Sequence, residues 1–558
     1  MNINQLFSDK LRLDGVAYQG SPALVLMKKS GERVEYSWFG YKEKALQAME
    51  GLKGRNLKAG DFVAIIALNL PESFFMMLGA ILMGAIPVPI NVILLKETEQ
   101  KELKKIIDNC QPSLVLGNSC LKKILPDYCV LIEQVLEEGR KSIAGRTAGK
   151  DVNPAPRQIA IPVDEHDPRD MLIMPYTSGT SGKLKGAMQS TAGVIDRVSA
   201  IMRELGVTNQ EKIPSYMPLG HITELIATFF GQIHSGYTVY FTEEIEELVW
   251  DRKKFKEKVF PKFLQQVQPT IFPGAPKVYV SFQDEISEKI RMIPASIKEK
   301  GFVKNLLIKM IKKQLGFSKT RIFISAGSPI DQREIEFFRN LEIKIDDIYG
   351  QTETGGPILI NGKRIGDVMV MIKEEQEIVV QGPCLMLGYY NNSEATMKVL
   401  EDINGSGQLI YHTGDAGTWG KSLSGVPGQG LAQLLYAGRL DDGFKLANAE
   451  FISAPKLYEL ENKIKKVEGV EEALVCGEGK SCLVALVFHN DDKNGPPFIK
   501  VLANVQQCLD QMGEGLYRIK KFKLLSKKWL ELTPTMKVKR KAVIQKFQNL
   551  IDTMTEGR

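Results

Sequence analysis

The chain has 558 residues, 44% of them hydrophobic and 25% charged, with 73 basic against 66 acidic side chains for a net charge of +7. This length exceeds one simple core and predicts two or more domains, and the composition excludes a disordered chain. So mild a basic excess suits anionic small ligands and gives no ground for expecting a nucleic-acid partner.

The N-terminal stretch MNINQLFSDKLRLDG has no basic segment leading into an apolar run, so no signal peptide is expected. Residues 61–67 read as a buried strand, 71–84 as a helix, 85–90 and 113–117 as further strands. The apolar run Phe74 to Ile90 nearly matches a bilayer span, but Pro87 and Pro89 interrupt it and Gly79 and Gly84 suit close packing. It reads as a buried helix and strand, with no transmembrane segment expected. The polar stretch 138–168 reads as a surface connection, and 171–176 as a strand entering a Ser/Thr/Gly loop. A Lys-rich helical region follows over 250–318, strand–loop signals return at 321–330 and 346–356, and 376–420 reads as a small β-subdomain.

A boundary is expected near Gly438 to Gly443. It gives a large domain over 1–438 and a small α+β domain over 439–558, built from helix 455–467, strands 473–476 and 482–489, and helix 497–510. The C-terminal lysines, Lys520, Lys521, Lys523, Lys527 and Lys528 among them, read as a solvated helix face. Seven scattered cysteines with no CxxC pair predict a reduced, cytoplasmic chain without structural zinc.

The strongest local signal is Tyr176 to Gly186, YTSGTSGKLKG. Hydroxyls and unobstructed backbone N–H groups after a strand can wrap a polyphosphate, and Lys185 adds a cation. A Walker loop is excluded, because Leu184 follows Gly182-Lys183 and Thr177 stands where glycine is needed. The bland alternative is a flexible Gly/Ser turn.

This segment resembles the phosphate loop of the adenylate-forming (AMP-binding) superfamily, YTSGTTGxPKG, with Ser181 for Thr and Leu184 for Pro. The resemblance continues in order: Leu57 to Asn91, Pro218-Leu219-Gly220-His221, Ala326-Gly327-Ser328, Tyr349 to Glu353 (YGQTE), Tyr411 to Asp415 (YHTGD), Gly438 to Asp442 (GRLDD) and Lys537 to Arg540. It implies an α/β fold, a large N-terminal domain with a small β-subdomain followed by a small mobile α+β C-terminal domain. It also implies an acid–thiol ligase that uses ATP and Mg²⁺ to make an acyl-adenylate.

On that resemblance Thr177, Ser178, Gly179, Thr180, Ser181, Gly182 and Lys185 cradle phosphates, and Ala326, Gly327 and Ser328 lie beside adenine. Tyr349 and Gly350 border the base, with the Tyr349 ring as an aromatic face. Thr352 donates to the α-phosphate and Glu353 is the Mg²⁺ ligand. Asp415 accepts from the ribose hydroxyls with Arg439 behind it, His221 borders the carboxylate, and Asp441 is the hinge within 439–442. Lys537 is the catalytic cation, with Lys539 as its neighbouring competitor.

Pro269 to Tyr279, Pro218 to Glu224, Lys445 to Ile452 and Leu532 to Arg540 look like the long-chain acyl-CoA synthetase branch, with Ala449 where that branch has Gly. No Asp occupies the Gly220-His221-Ile222 neighbourhood to pair an amino-acid ammonium, so an uncharged, fatty acid is expected. The acceptor is expected to be CoA. An acyl carrier protein's phosphopantetheine arm stays open, as does a non-catalytic protein that only binds nucleotide or acyl ligand.

Overall fold

The computed structural model describes residues 21–147, 167, 169–177, 184–291, 301–373, 376–420, 433–448, 450–490, 496–512, 517–532 and 538–556. An all-parallel sheet in the order Ile86–Ile90, Phe62–Ile66, Leu114–Gly117, Val130–Leu131 forms from the apolar runs seen in the sequence. Its central strands are buried almost throughout, as a parallel sheet covered on both faces requires. The helix Pro71–Leu82 opens with proline in its first turn and is buried along nearly its whole length. No helix among the described residues is long and apolar enough to cross a membrane.

A second sheet runs Lys212–Pro214, Thr238–Thr242, Leu24–Met27, Arg33–Tyr36. A third places Ile271–Gly274, Ile322–Ser325 and Ile345–Gln351 in parallel, then turns back antiparallel through Gly356–Ile360. The expected β-subdomain pairs Met369–Ile372, Glu377–Gln381, Leu409–Trp419 and Leu434–Arg439 antiparallel.

The C-terminal unit is a sheet of Val470–Cys476, Leu483–His489 and Ile519–Ser526 with a core on each face. Helices Ala454–Lys465 and Phe498–Gln511 cover one face, and Arg540–Lys546 with Gln548–Glu556 the other.

Two expectations need correction. The described part of 138–168 is not only a surface connection, because the helix Ile132–Thr147 extends through its first ten residues and packs against Trp38–Gly54. A Cβ on Gly139 would collide with Gln47 O, so this glycine permits a close helix–helix approach and marks no loop. Lys520, Lys521 and Lys523 belong to the strand Ile519–Ser526, which pairs parallel with Leu483–His489, and not to a helix face.

Candidate active site

The ends of two strands, Ile345–Gln351 and Leu434–Arg439, meet at Asp415. Ser325 and Asp347 are register partners on parallel neighbours, so Ala326, Gly327 and Ser328 leave their strand beside Tyr349 and Gly350, at the carboxyl edge of the sheet. Gly327 takes a positive φ of 92° there. A bulge falls between Tyr349 and Gly350, and a Cβ on Gly350 would collide with Gly356 O. Beyond it the 3₁₀ turn Thr352–Thr354 is closed by a reciprocal cap between Gln351 and Thr354.

Asp415 is buried in the strand Leu409–Trp419 and faces Arg439 across the antiparallel pair. Arg439 NH1 lies 2.6 Å from Asp415 Oδ1 and also donates to Thr413 O at 3.1 Å. Tyr349 OH at 2.8 Å and Gln351 Nε2 at 2.6 Å both donate to Asp415 Oδ2. Tyr411 OH in turn donates to Gln351 Oε1 at 2.5 Å. Burial first, then the neighbouring Asp415 charge, holds the Tyr349 hydroxyl well above its ordinary pKa, so it stays a donor.

Glu353 forms a second centre. Its buried carboxylate accepts at Oε1 from Tyr389 OH at 2.7 Å, and the Lys185 ammonium lies 4.7 Å from the centre of the same Tyr389 ring. Thr177 and Lys185 are register partners, and the strand that starts at Lys185 pairs through Ala187 and Met188 with Gly388–Tyr389. Gln189 Nε2 donates to Thr352 O at 2.7 Å and fixes the start of the turn.

The structure thus brings Thr177, Lys185, Tyr349, Gly350, Thr352, Glu353, Asp415 and Arg439 into one region. His221 stands at the N-cap position of the helix that begins Ile222–Glu224, and Ile222 and Ile226 of that helical stretch pack near Gly356, three residues past Glu353. Asp441 is exposed in the turn Leu440–Asp442, two residues beyond Arg439. Ser178, Gly179, Thr180, Ser181, Gly182, Ala449 and Lys537 lie outside the described residues.

Sequence reasoning gave no role to Gln351, Tyr389 or Tyr411. Gln351 and Tyr411 stand inside the YGQTE and YHTGD motifs and could have been found there. Tyr389 carries no such signal, because tertiary contacts bring it to Glu353: Gly388–Tyr389 pairs with Met188 and Ala187, and Met386 N donates to Glu353 O at 2.9 Å.

Among the described residues no group of three or more His, Cys, Asp or Glu could hold a metal alone. Glu353 offers one buried hard carboxylate, which fits a cation such as Mg²⁺ that completes its shell from phosphate oxygens and water.

The profile of the AMP-binding enzyme family matches residues 14–390, and that of the AMP-binding enzyme C-terminal domain matches 453–558. The long-chain-fatty-acid–CoA ligase ACSBG2 of Mus musculus is 24% identical over 99% of this chain and 93% of its own length. Long-chain-fatty-acid–CoA ligase 5 of the same species is 26% identical over 94% of this chain and 85% of its own. In fold, the A domain of a carboxylic acid reductase from Segniliparus rugosus, solved with AMP and a co-purified carboxylic acid, superposes with a TM-score of 0.72 at 18% identity. That match covers 99% of this chain and 94% of the other. The family profile spans well over half of the sequence, and this protein is a member of the AMP-binding enzyme family.

Proposed function

We propose that the protein activates a fatty carboxylic acid with ATP and passes the acyl group to the thiol of CoA. The observation that carries this reading is the Asp415–Arg439–Tyr349–Gln351 cluster beside the Glu353–Tyr389–Lys185 cluster. One offers a buried acceptor fitted to a pair of vicinal hydroxyls, the other an anion and a cation fitted to a metal–polyphosphate.

In the first half-reaction a carboxylate oxygen bonds to the α-phosphorus, the bond to the β-phosphate bridge breaks, and pyrophosphate leaves. Asp415 holds the ribose, with Arg439 keeping it oriented. Ala326, Gly327, Ser328, Gly350 and the Tyr349 ring border the base. Lys185, Thr177 and the 178–182 loop hold phosphates, and Thr352 donates to the α-phosphate. Mg²⁺ on Glu353 would neutralise phosphate charge. His221 borders the acid, and Lys537 meets the charge that develops on the α-phosphate.

In the second half-reaction the thiol sulfur bonds to the acyl carbon, the thiol proton is released, and AMP leaves with the bonding electrons. The division into 1–438 and 439–558, hinged at Asp441, serves this order, since one site cannot hold both Lys537 over phosphate and an open thiol channel. The curated relatives are named as CoA ligases and are matched over most of their length, which favours CoA over a carrier arm. A cytoplasmic location is part of the proposal and draws on seven cysteines that are all free.

The test is exchange of labelled pyrophosphate into ATP over fatty, aryl and amino acids. Exchange should depend on a medium or long aliphatic acid and on Mg²⁺, and should not need CoA. Cleavage of ATP to ADP and phosphate would overturn the reading.

A further inference from the structure

A carboxyl group that the proposed chemistry leaves unused lies at the root of the His221 loop. Glu224 is fully buried, three residues past His221, where the helix passes into a π-helical turn, Leu225–Phe230. Such turns are uncommon and recur at functional sites. Glu224 Oε1 accepts from Ser215 Oγ at 2.5 Å and lies 2.9 Å from Thr228 Oγ1. Asn69 Nδ2 is 2.8 Å from each of Glu224 Oε1, Ser215 Oγ and Met217 O. Glu224 Oε2 is buried as well. Burial, against the pull of Ser215, Thr228 and Asn69, pushes the carboxyl up to about 7.

These contacts join the two ends of one short loop to a residue far away in sequence. Asn69 precedes the helix Pro71–Leu82, Ser215 follows the strand Lys212–Pro214, and Glu224 and Thr228 belong to the helix capped by His221. Between Ser215 and Glu224 the chain makes the Pro218-Leu219-Gly220-His221 loop, so both of its ends are tied to one carboxyl oxygen. The rest of the loop has firm neighbours too. Tyr216 OH donates to Pro273 O at 2.6 Å, and a Cβ on Gly220 would press at 3.0 Å on Asn91 N. The knot is far from cheap, since burying a carboxyl costs stability unless its partners compensate. A plain apolar contact would hold a helix to a strand as well. What a carboxyl adds is direction, because several donors must meet one oxygen.

We propose that Glu224 is a positioning residue for the bound carboxylic acid, acting through the Pro218–His221 loop and touching neither the acid nor the nucleotide. The inference rests on the reading of that loop as the wall of the acid site.

The test measures KM for dodecanoate and for ATP separately in the pyrophosphate exchange assay, in wild type and in Glu224→Ala, Glu224→Gln and Ser215→Ala. Loss of the knot should raise the acid KM in Glu224→Ala by roughly tenfold or more, with the ATP KM held within about twofold. Glu224→Gln keeps an accepting oxygen and should recover most of the loss. Ser215→Ala removes one donor, needs no cavity in the core, and should raise the acid KM by roughly threefold. An acid KM unchanged in Glu224→Ala and Ser215→Ala overturns the inference. So does a parallel rise in both KM values, or a Gln variant as impaired as Ala. A wild type without acid-dependent exchange would instead defeat the underlying functional reading.

Discussion

On either side of the turn Leu440–Asp442 stands an arginine–carboxylate pair, and the two are differently built. Upstream, Arg439 meets Asp415 at 2.6 Å with its side chain still 31% exposed, and the donors around Asp415 come from the Tyr349–Gln351 segment. Downstream, Arg540 meets Glu461 at 2.5 Å with its side chain 14% exposed. There Val475 closes a ring, its N–H donating to Glu461 Oε1 at 2.7 Å and its carbonyl accepting from Arg540 NH2 at 2.7 Å. The first pair keeps the more exposed arginine, and the second braces helices Ala454–Lys465 and Arg540–Lys546 against a core strand, with Arg540 Nε also 3.8 Å from Asp442 Oδ1. An arginine–carboxylate contact therefore does not by itself mark a site; what the arginine leaves open to solvent does.

The largest expected effect lies on the upstream side. Glu353→Ala removes the proposed metal ligand, and adenylation should fall at least about 100-fold, or roughly 3 kcal/mol, with the fold intact by circular dichroism. A near-normal rate at saturating Mg²⁺ would exclude the role.

The next pair of variants probes the turn itself. Lys537→Ala should slow adenylation by roughly 30-fold or more yet spare thioester formation from synthetic acyl-AMP. Asp441→Pro fixes φ near −65° by ring closure and should do the reverse. Equal slowing of both half-reactions by both variants would end the two-state reading. Selective loss in Lys539→Ala would move the catalytic role to that residue.

The two arginines then sharpen the contrast directly. Arg540→Ala leaves Glu461 buried without its cation and should cost about 3–5 kcal/mol in thermal or denaturant unfolding of the C-terminal unit. Arg439→Ala should raise the KM for ATP by roughly tenfold and cost far less stability, because its partner keeps two other donors. If both act mainly on stability, the difference in openness has no functional meaning.

The smallest effect concerns His412, which stands between Glu377 at 2.7 Å and Glu401 at 2.9 Å, with Lys373 on Glu401. Burial lowers its pKa, but the hydrogen bonds to Glu401 and Glu377 outweigh that and leave it raised. Glu377 Oε1 also accepts from Gly414 N at 3.0 Å, just before Asp415. The stabilisation is complete below the unfolded value of about 6.5 and is lost as pH rises through the higher folded value. Melting temperatures of wild type and His412→Gln should differ by about 4 °C or less at pH 6 and converge at alkaline pH.

The strands of the parallel sheet were legible because they are short apolar runs between turn signals. Asp415 and Glu353 were legible as members of ordered motifs; Arg439 meets Asp415, while Glu353 meets Tyr389, which no motif carries. The strand Ile519–Ser526 was hidden because its register slips between Leu483 and Val484, which face Ile519 and Lys521 and leave Lys520 as an extra residue. That bulge breaks the alternation by which a strand is read. The helix Ile132–Thr147 was hidden by Gly139, whose lack of a side chain answers to a neighbour 92 residues away in the chain, which no local pattern records. Tyr389 belongs to the same class.

The π-helical turn Leu225–Phe230 has a consequence for how this protein can vary. Such a turn holds one residue more than the regular helix around it, and each helical residue carries roughly 100° of rotation. Side chains along it can therefore be exchanged for others of similar bulk while the site stays in place. Removing a single residue would instead shift Glu224 and Ile222 relative to Ser215 and Gly356 together. The number of residues in this segment is thus constrained more tightly than their identity, and a one-residue deletion there should abolish activity where a conservative substitution does not.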